Sequence, residues 1–200
     1  MLLVLGTRNR KKQAEIAEIL GDLGLELADL TAWPDLPEVE ETGTTFEENA
    51  RLKAAAVAKG TGHWASGEDS GLVVPALGGA PGVWSARYAG KQGDDIANNA
   101  KLLTELDGFP DEKRGAYYVC AAALADPSGD VRAVVEGRCH GVIIREPRGR
   151  GGFGYDPLFL IPEYHRTFGE LSATVKHALS HRGRALAKLR PVLRELLVTK

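Results

Sequence analysis

The sequence predicts an α/β protein with a mixed β-sheet. Along the first hundred residues, short apolar runs typical of buried strands alternate with segments whose apolar residues recur at the helical period. Further along, two long strand patterns follow one another around a short turn, which is typical of an antiparallel hairpin. Because some strands are consecutive and others are separated by helices, we do not expect a purely doubly wound sheet.

The composition indicates a globular chain. Its 200 residues are 44% hydrophobic, which is enough to bury a full core, either as one domain or as a bilobed one. The formal net charge of -2 gives no basic field of the kind that long nucleic acid requires. We therefore expect a small anionic ligand held by a few local cations, and no nucleic-acid polymer as partner.

Cysteine use and hydropathy favour a cytoplasmic protein. Cys120 and Cys139 lack metal-ligand spacing and lie in apolar stretches, so we expect reduced, buried thiols rather than a disulfide. Residues 1–5 are too few for the apolar region of a signal peptide, and no apolar run reaches the length that spans a membrane. Neither a targeting segment nor a membrane partner is predicted.

The chain opens with a candidate phosphate site. Residues 2–5 predict a buried strand, residues 6–10 a turn, and residues 11–23 an amphipathic helix. Such a turn places unpaired backbone N–H groups beside the positive end of a helix. Its side chains are Thr7, Arg8, Asn9, Arg10, Lys11 and Lys12. A Walker A loop is excluded because its glycines are absent, and a solvated basic helix start remains the alternative.

An acidic connection over residues 33–44 precedes the second predicted helix. It carries an acidic cluster made of Glu38, Glu40 and Glu41. Thr45 and Glu48 have the spacing of a capping box, which predicts a helix that ends near residue 59. Asn49 and Lys53 are four residues apart on that helix and therefore share a face, although a solvated position for Lys53 is an equal alternative.

Residues 67–71 predict a glycine-bounded turn directly before a buried strand over residues 72–77. The turn carries two adjacent carboxylates, Glu68 and Asp69. Carboxylates held beside a core are unfavourable unless they meet a metal, a cation or a substrate proton. Asp69 is therefore the candidate general base and metal-side carboxylate, with Glu68 as a partner; a solvated acidic turn is the alternative for the pair taken alone.

The second half of the chain predicts a shaped loop, a helix and a hairpin. Glycine and proline in residues 78–82 break the chain before an aromatic segment over residues 83–88. A helix is expected over residues 94–106, with Ile96, Leu103 and Leu106 facing inward. Strands over residues 117–125 and 131–144 flank a turn.

A second glycine-rich loop over residues 149–156 precedes a short predicted strand over residues 158–161. Within it, Phe153 stands between glycines and is exposed enough to stack on a base. A closing helix is predicted over residues 180–197, bent or restarted at Pro191. At its start, His181 and Arg182 offer a ring and a planar cation to a base edge, with a helix cap made by Ser180 as the alternative.

Five blocks, in order along nearly the whole chain, resemble the inosine triphosphate pyrophosphatase (Ham1-like) family. They are Thr7, Asn9 and Lys12 in a T-x-N-x-x-K pattern, residues 40–50, residues 69–72, residues 151–157, and Lys176 with Ser180, His181, Arg182 and Gly183. Two positions depart from the family pattern. Arg8 stands where many relatives carry glycine, and Val175 replaces an acid often found there.

The resemblance implies hydrolysis of non-standard purine nucleoside triphosphates (ITP, dITP and XTP) to the monophosphate and pyrophosphate, in a homodimer with Mg²⁺ as cofactor. It implies a single bilobed domain over residues 1–200, with an elongated mixed sheet and two lobes around a central active-site cleft. Asp69 is implied as the catalytic residue, and Asp69, Glu41 and Glu40 as metal ligands. The implied substrate-binding residues are Thr7, Arg8, Asn9, Arg10, Lys11, Lys12, Lys53, Ser70, Phe153, Gly154, Tyr155, Asp156, Lys176, His181 and Arg182.

Two other functions remain open from the sequence. A pyrophosphatase for modified pyrimidine nucleotides would keep the acidic cluster but lack the blocks around Phe153 and Arg182. A non-catalytic nucleotide-binding protein would need the phosphate turn but has no use for Asp69.

Overall fold

The computed structural model describes residues 1–198, and within them seven strands form one mixed sheet in the order β2-β1-β3-β4-β5-β6-β7. The strands are β1 Leu2–Leu5, β2 Glu26–Asp29, β3 Trp64–Val73, β4 Gly115–Ala125, β5 Val131–Ile143, β6 Phe159–Ile161 and β7 Arg166–Thr167. β1 pairs in parallel with β2 and β3, whereas β6 pairs antiparallel with β5 and β7. The predicted α/β class with a mixed sheet is confirmed.

Five α-helices accompany the sheet within residues 1–198. They are α1 Arg10–Leu20, α2 Phe46–Thr61, α3 Asp95–Glu105, α4 Ala173–Leu179 and α5 His181–Leu193. The predicted capping box of α2 is present, with reciprocal hydrogen bonds between Thr45 and Glu48. Pro191 lies inside α5, and a π-helical turn over Arg194–Val198 follows. No helix among the described residues is long and apolar enough to cross a membrane.

The chain divides into two compact units. The first comprises residues 1–69, residues 120–137 and the chain from His181 onward. Its core holds the apolar faces of α1 and α5, including Leu20 and Leu189, and a second cluster of alanines and valines around α2. Because β1 is buried, its strand pattern was readable from a continuous apolar run.

The second unit comprises residues 70–119 and 138–180. Its core is centred on three aromatic rings, those of Tyr118, Phe159 and Phe168, whose centroids lie 4.7–6.0 Å apart. Both free cysteines of the described chain are buried, as predicted, Cys139 in this unit and Cys120 in the first.

Several element predictions were wrong. Residues 67–71 are not a turn but the interior of β3, and that strand ends at Val73, followed by a 3₁₀ turn over Pro75–Leu77. Ile96 is 85% exposed rather than inward-facing, because the buried face of α3 is formed by Leu102 and by Leu106 directly after it. The elements β2, β7 and α4 are short, and their residues show no strong hydrophobic periodicity from which they could be predicted.

Candidate active site

Two neighbouring carboxylates on β3 organise the polar interior of the first unit. Successive residues of a strand point to opposite faces of the sheet, so Glu68 and Asp69 meet different partners. Asp69 meets side chains from α2, whereas Glu68 meets side chains from α1 and α5. Both are buried, at 5% exposure for Glu68 and 6% for Asp69.

Each oxygen of Asp69 accepts a hydrogen bond from α2. Nδ2 of Asn49 donates to Oδ2 at 3.1 Å, and Nζ of Lys53 donates to Oδ1 at 3.1 Å. The same Nζ lies 2.9 Å from Oε1 of Glu41 and donates to the main-chain carbonyl of Glu68 at 3.1 Å. One ammonium group therefore joins two carboxylates that lie 28 residues apart in the sequence.

The close approach of α2 to β3 depends on a glycine. A Cβ at Gly67 would lie 2.3 Å from both the carbonyl oxygen of Ala50 and the backbone nitrogen of Ala54. Only a residue without a side chain fits there, and this contact lets the helix place Lys53 and Asn49 against Asp69. Gly67 is therefore needed for the packing of α2 on β3, and not for a turn as the sequence suggested.

The acidic connection is tied to the start of the same helix. The backbone N–H of Gly43 donates to Oδ1 of Asn49 at 2.8 Å, and that of Thr44 donates to Oε2 of Glu48 at 2.7 Å. Asn49 thus holds the connection with its oxygen and Asp69 with its nitrogen. Among the three acids predicted there, Glu41 is half-buried and contacts Lys53, whereas Glu38 and Glu40 are exposed.

Burial and charge shift the pKa values of this cluster. Burial raises the pKa of Asp69, and the nearby Glu41 carboxylate acts in the same direction, against the positive charges of Lys53 and Lys12. Burial by itself favours neutral Lys53, but Asp69 and Glu41 outweigh it and raise the pKa of the ammonium. Asp69 can consequently accept a proton more readily than an exposed aspartate, while Lys53 stays charged.

The donor set fits a hard divalent cation. Glu41 and Asp69 already hold one positive group between them, the ammonium of Lys53. Across residues 1–198, no group of three or more His, Cys, Asp or Glu side chains is gathered to hold a metal. Mg²⁺ commonly uses only one or two carboxylates and completes its shell with water and substrate phosphates, so a two-carboxylate site is adequate.

Glu68 lies in a second buried charge network. Nε and Nη2 of Arg182 each donate to a different oxygen of Glu68 at 2.7 Å, which is a bidentate pair, and Nη1 of Arg182 contacts Glu15. Nζ of Lys12 lies 3.3 Å from Oε1 of Glu68. Burial opposes ionisation, but Arg182 and Lys12 outweigh it and hold the pKa of Glu68 well below its usual range.

Sequence reasoning placed Arg182 at a base edge, whereas its guanidinium, 1% exposed, is paired here with two carboxylates. Base recognition by Arg182 stays a prediction. Glu15 was missed, although it stands three residues after Lys12 and therefore on the same side of α1. His181, at the start of α5, is also buried.

The turn predicted to bind phosphate lies at the start of α1. Asn9 is the N-cap, and its Oδ1 accepts from the backbone N–H groups of Lys11 and Lys12 at 3.0 and 3.2 Å. Two of the N–H groups expected to be unpaired are therefore capped. The hydroxyl oxygen of Thr7 accepts a hydrogen bond from the backbone N–H of Asn9. Arg8 donates to the carbonyl of Leu36, in the acidic connection, at 2.7 Å. Arg10 and Lys11 are exposed.

In the second unit, Asp156 organises the glycine-rich loop. Its Oδ2 accepts from the backbone N–H of Phe153 at 2.8 Å and from Nζ of Lys176 at 2.7 Å. The same Nζ lies 4.8 Å from the centre of the Phe153 ring. The hydroxyl of Tyr155 donates to the carbonyl of Ser85 at 2.8 Å. Phe153, Asp156 and Lys176, predicted from two separate blocks, thus form one cluster.

Two further predicted residues belong to the second unit. Gly154 bonds to α3, through Asp95 and Asn99, neither of which sequence reasoning singled out. The signal in the sequence was the spacing of Asp95 and Asn99, because residues four apart lie on the same face of a helix. Ser70 is half-buried on β3.

The family model described as the Ham1 family matches residues 3–192. The dITP/XTP pyrophosphatase of Desulforamulus reducens is 50% identical over 198 residues, covering 99% of this chain and 98% of the relative. That of Geobacter sulfurreducens is 55% identical over 188 residues, covering 94% of each.

Solved structures are similarly close. A HAM1 protein from Coxiella burnetii superposes with a TM-score of 0.88 at 44% identity, over 98% of this chain and 99% of the other. A nucleoside-triphosphatase / dITP/XTP pyrophosphatase from Mycobacterium abscessus superposes with a TM-score of 0.77 at 50% identity, over 97% and 100% of the two chains.

Proposed function

Because the chain belongs to the Ham1 family, we propose that it is a nucleoside-triphosphate pyrophosphatase that acts on non-standard purine nucleotides. Its substrates are ITP, dITP and XTP, and its products are the nucleoside monophosphate and pyrophosphate. Relatives about half identical to it over nearly their full length are named dITP/XTP pyrophosphatase. Such an enzyme removes these nucleotides from the nucleotide pool.

The observation that carries the proposal is the setting of Asp69. A buried carboxylate whose pKa is raised by burial is suited to accept a proton, and Lys53, 3.1 Å away, supplies positive charge for a phosphate. A protein that only bound nucleotides would need the cation but not the buried base.

In the proposed reaction, Asp69 takes a proton from a water molecule whose oxygen bonds to the α-phosphorus. The bond from that phosphorus to the oxygen bridging the α- and β-phosphates breaks, and pyrophosphate leaves with the electron pair. Lys53 and Lys12 stabilise the charge that develops on the phosphate oxygens. Asp69 and Glu41 would hold Mg²⁺, which would supply charge neutralisation and polarise water. Glu40, being exposed, is the weaker candidate ligand.

The turn at the start of α1 is proposed to bind the phosphate tail. Arg8, Arg10 and Lys11 present cations at or next to the helix N-terminus, and Thr7 and Asn9 present hydrogen-bonding groups. Because Asn9 caps two backbone N–H groups, a phosphate that uses them must displace its side chain.

Base recognition is assigned to the loop of the second unit. Phe153 offers a ring for stacking, and Lys176 carries only hydrogen-bond donors, which suit the keto oxygen at purine position 6 and not the amino group of adenine. Gly154, Tyr155 and Asp156 shape the loop. For His181 and Arg182, which belong to the first unit, a role in base recognition stays a prediction. Ser70, next to Asp69, is proposed to contact the substrate.

We further propose a homodimer that works in the cytoplasm with no nucleic-acid polymer as partner. Two free, buried cysteines and a free nucleotide as substrate are compatible with that compartment. Analytical ultracentrifugation tests the oligomeric state, and a monomer at micromolar concentration contradicts the homodimer.

The function is tested by incubating the purified protein and Mg²⁺ with ITP, dTTP and ATP and measuring pyrophosphate. Rapid release of pyrophosphate from ITP, but not from dTTP or ATP, supports the proposal. Faster release from dTTP supports the pyrimidine-nucleotide alternative, and nucleotide binding without turnover supports the non-catalytic one. In ¹⁸O-labelled water, the label is expected in the monophosphate; label in orthophosphate excludes attack at the α-phosphorus.

A further inference from the structure

The loop that carries Phe153 has little conformational preference of its own. Phe153 stands between Gly152 and Gly154, whose φ angles of +72° and +62° lie in the left-handed region. Glycine occupies that region readily but also leaves it readily, because it lacks a Cβ. The direction of the Phe153 ring must therefore be fixed by contacts from outside these three residues.

Hydrogen bonds fix the peptide groups on both sides of Phe153. On the N-terminal side, its own N–H donates to Oδ2 of Asp156 at 2.8 Å. On the C-terminal side, the N–H of Gly154 donates to Oδ2 of Asp95 at 2.9 Å. Because these two peptide groups define the φ and ψ angles of Phe153, the two carboxylates together set the direction of its Cα–Cβ bond.

Asn99 completes the contact from the same helix. Its Nδ2 donates to the carbonyl of Gly154 at 2.9 Å and to the carbonyl of Asp95 at 2.8 Å. Asp95 and Asn99 are one turn apart on α3, so one helix face engages both hydrogen-bonding groups of Gly154. Asn99 therefore holds the loop through its amide NH₂ group.

α3 itself is firmly anchored in the second unit. Oδ1 of Asn98 accepts from the backbone N–H of Ala89 at 2.8 Å, and Asn98 is 2% exposed. Beyond the C-terminal end of the helix, the carbonyl of Leu106 accepts from Nη1 of Arg114 at 2.7 Å. A helix fixed at both ends is a rigid support, so its contacts to Gly154 hold the loop in one place.

We propose that Asp95 and Asn99 are positioning residues that set purine selectivity by holding Gly154 and thereby the Phe153 ring. The inference rests on the proposed function, because it assigns the base to Phe153. Neither side chain touches the phosphates or the reacting atoms in this assignment. Without them the loop samples other conformations, and the base loses its stacking partner and its alignment with Lys176.

The test compares Asp95→Ala and Asn99→Leu with the wild type. Each variant is expected to lower kcat/KM for ITP by about 10- to 200-fold, the range that shape and stacking contribute, mainly through a higher KM. Loss of stacking affects both nucleotides, but only ITP also loses the alignment of its keto oxygen with Lys176, so the ratio of ITP to ATP activity is expected to fall. Asp95→Asn keeps an acceptor for the N–H of Gly154 and is expected to restore most of the ratio. Ile96→Ala, at an 85% exposed site on the same helix, is the matched control.

A second readout is independent of activity. Hydrogen exchange of a peptide covering residues 149–157 is expected to quicken in Asp95→Ala and Asn99→Leu, but not in Asp95→Asn or Ile96→Ala. Unchanged exchange overturns the proposal, as does faster exchange with an unchanged ratio of ITP to ATP. An equal loss for both nucleotides with a lower Tm also overturns it, because it shows a purely structural role. If the wild type fails to hydrolyse ITP, the proposed function and its selectivity fail, while exchange still reports whether α3 holds the loop.

Discussion

The ammonium group of Lys53 donates a hydrogen bond of 3.1 Å to Oδ1 of Asp69, between a helix and a strand that the sequence separates by only a few residues. Asn49, one helical turn before Lys53, occupies the other oxygen. The neutral amide of Asn49 and the positive ammonium of Lys53 therefore hold the carboxylate of Asp69 in place, while burial raises its pKa. This setting leads to the first two predictions.

Asp69→Asn is expected to keep nucleotide binding and to lower kcat by about 10²- to 10⁴-fold, because the amide has nearly the same shape but cannot accept a proton from water. Binding is measured by calorimetry with ITP, and turnover by pyrophosphate release. Hydrolysis at the wild-type rate would remove Asp69 from the role of general base.

The raised pKa of Asp69 predicts that activity rises with pH. Below the folded-state pKa of this group the carboxyl holds its proton, and kcat/KM is expected to fall about tenfold for each further unit of pH. The stability contribution has the opposite sign. Because the folded-state pKa lies above the unfolded one, the folded protein loses stability as pH rises through that interval. An acidic limb that stays within the range of an exposed aspartate would contradict the assignment.

Removal of divalent cations is expected to abolish hydrolysis. The single positive charge of Lys53 balances only one of the two carboxylates, Glu41 and Asp69, so the repulsion between this cluster and the proposed triphosphate substrate persists without a divalent cation. The measurement is pyrophosphate release from ITP in excess EDTA and after addition of Mg²⁺. Glu41→Gln is expected to raise the Mg²⁺ concentration needed for half-maximal rate, with Glu40→Gln as the matched control at an exposed neighbour. Full activity in EDTA would exclude the metal.

Arg182→Ala is expected to lower the free energy of unfolding by about 3–5 kcal/mol, because it leaves the carboxylate of Glu68 buried without its bidentate partner. Urea unfolding at pH 7 measures the loss. Arg190→Ala is the matched control on the same helix, since it removes a bidentate pair with the exposed Asp22 and should cost far less.

Arg182→Ala also tests a separate prediction, namely that Arg182 recognises the purine base. If the guanidinium also recognises the purine, kcat/KM for ITP falls by orders of magnitude while the poor activity on ATP hardly changes. An equal loss for both nucleotides would restrict Arg182 to the phosphates or to the fold.

Gly67→Ala is expected to destabilise the protein by about 1–3 kcal/mol or more and to lower activity by about 10²-fold, because a Cβ would press on the backbone of α2 and displace Lys53 and Asn49. Gly21→Ala is the control, since nothing lies within 4 Å of a Cβ there and its φ of -60° suits any residue. Thermal unfolding and ITP hydrolysis are compared for both. Wild-type behaviour of Gly67→Ala would show that the helix adjusts freely.

The sequence predicted the elements whose signals are local. The capping box of α2, the N-terminal strand and the hairpin turn were readable because each depends on residues within a few positions of one another. The turn assigned to residues 67–71 was wrong because glycine is a turn signal only when nothing packs against it, and α2 packs against Gly67. The exposure of Ile96 was missed because α3 buries one narrow face.

By itself, then, the sequence determined the α/β class, the family and the candidate site residues. These could be predicted because ordered motifs and hydrophobic periodicity are visible in the sequence alone. Only the tertiary structure decided how those residues are paired. Glu68 and Asp69 are neighbours in sequence, yet the alternation of a strand sends one to Arg182, 114 residues away, and the other to Lys53. Gly154 likewise meets Asp95 across 59 residues. Such pairings depend on packing between distant segments, and no local pattern encodes that packing.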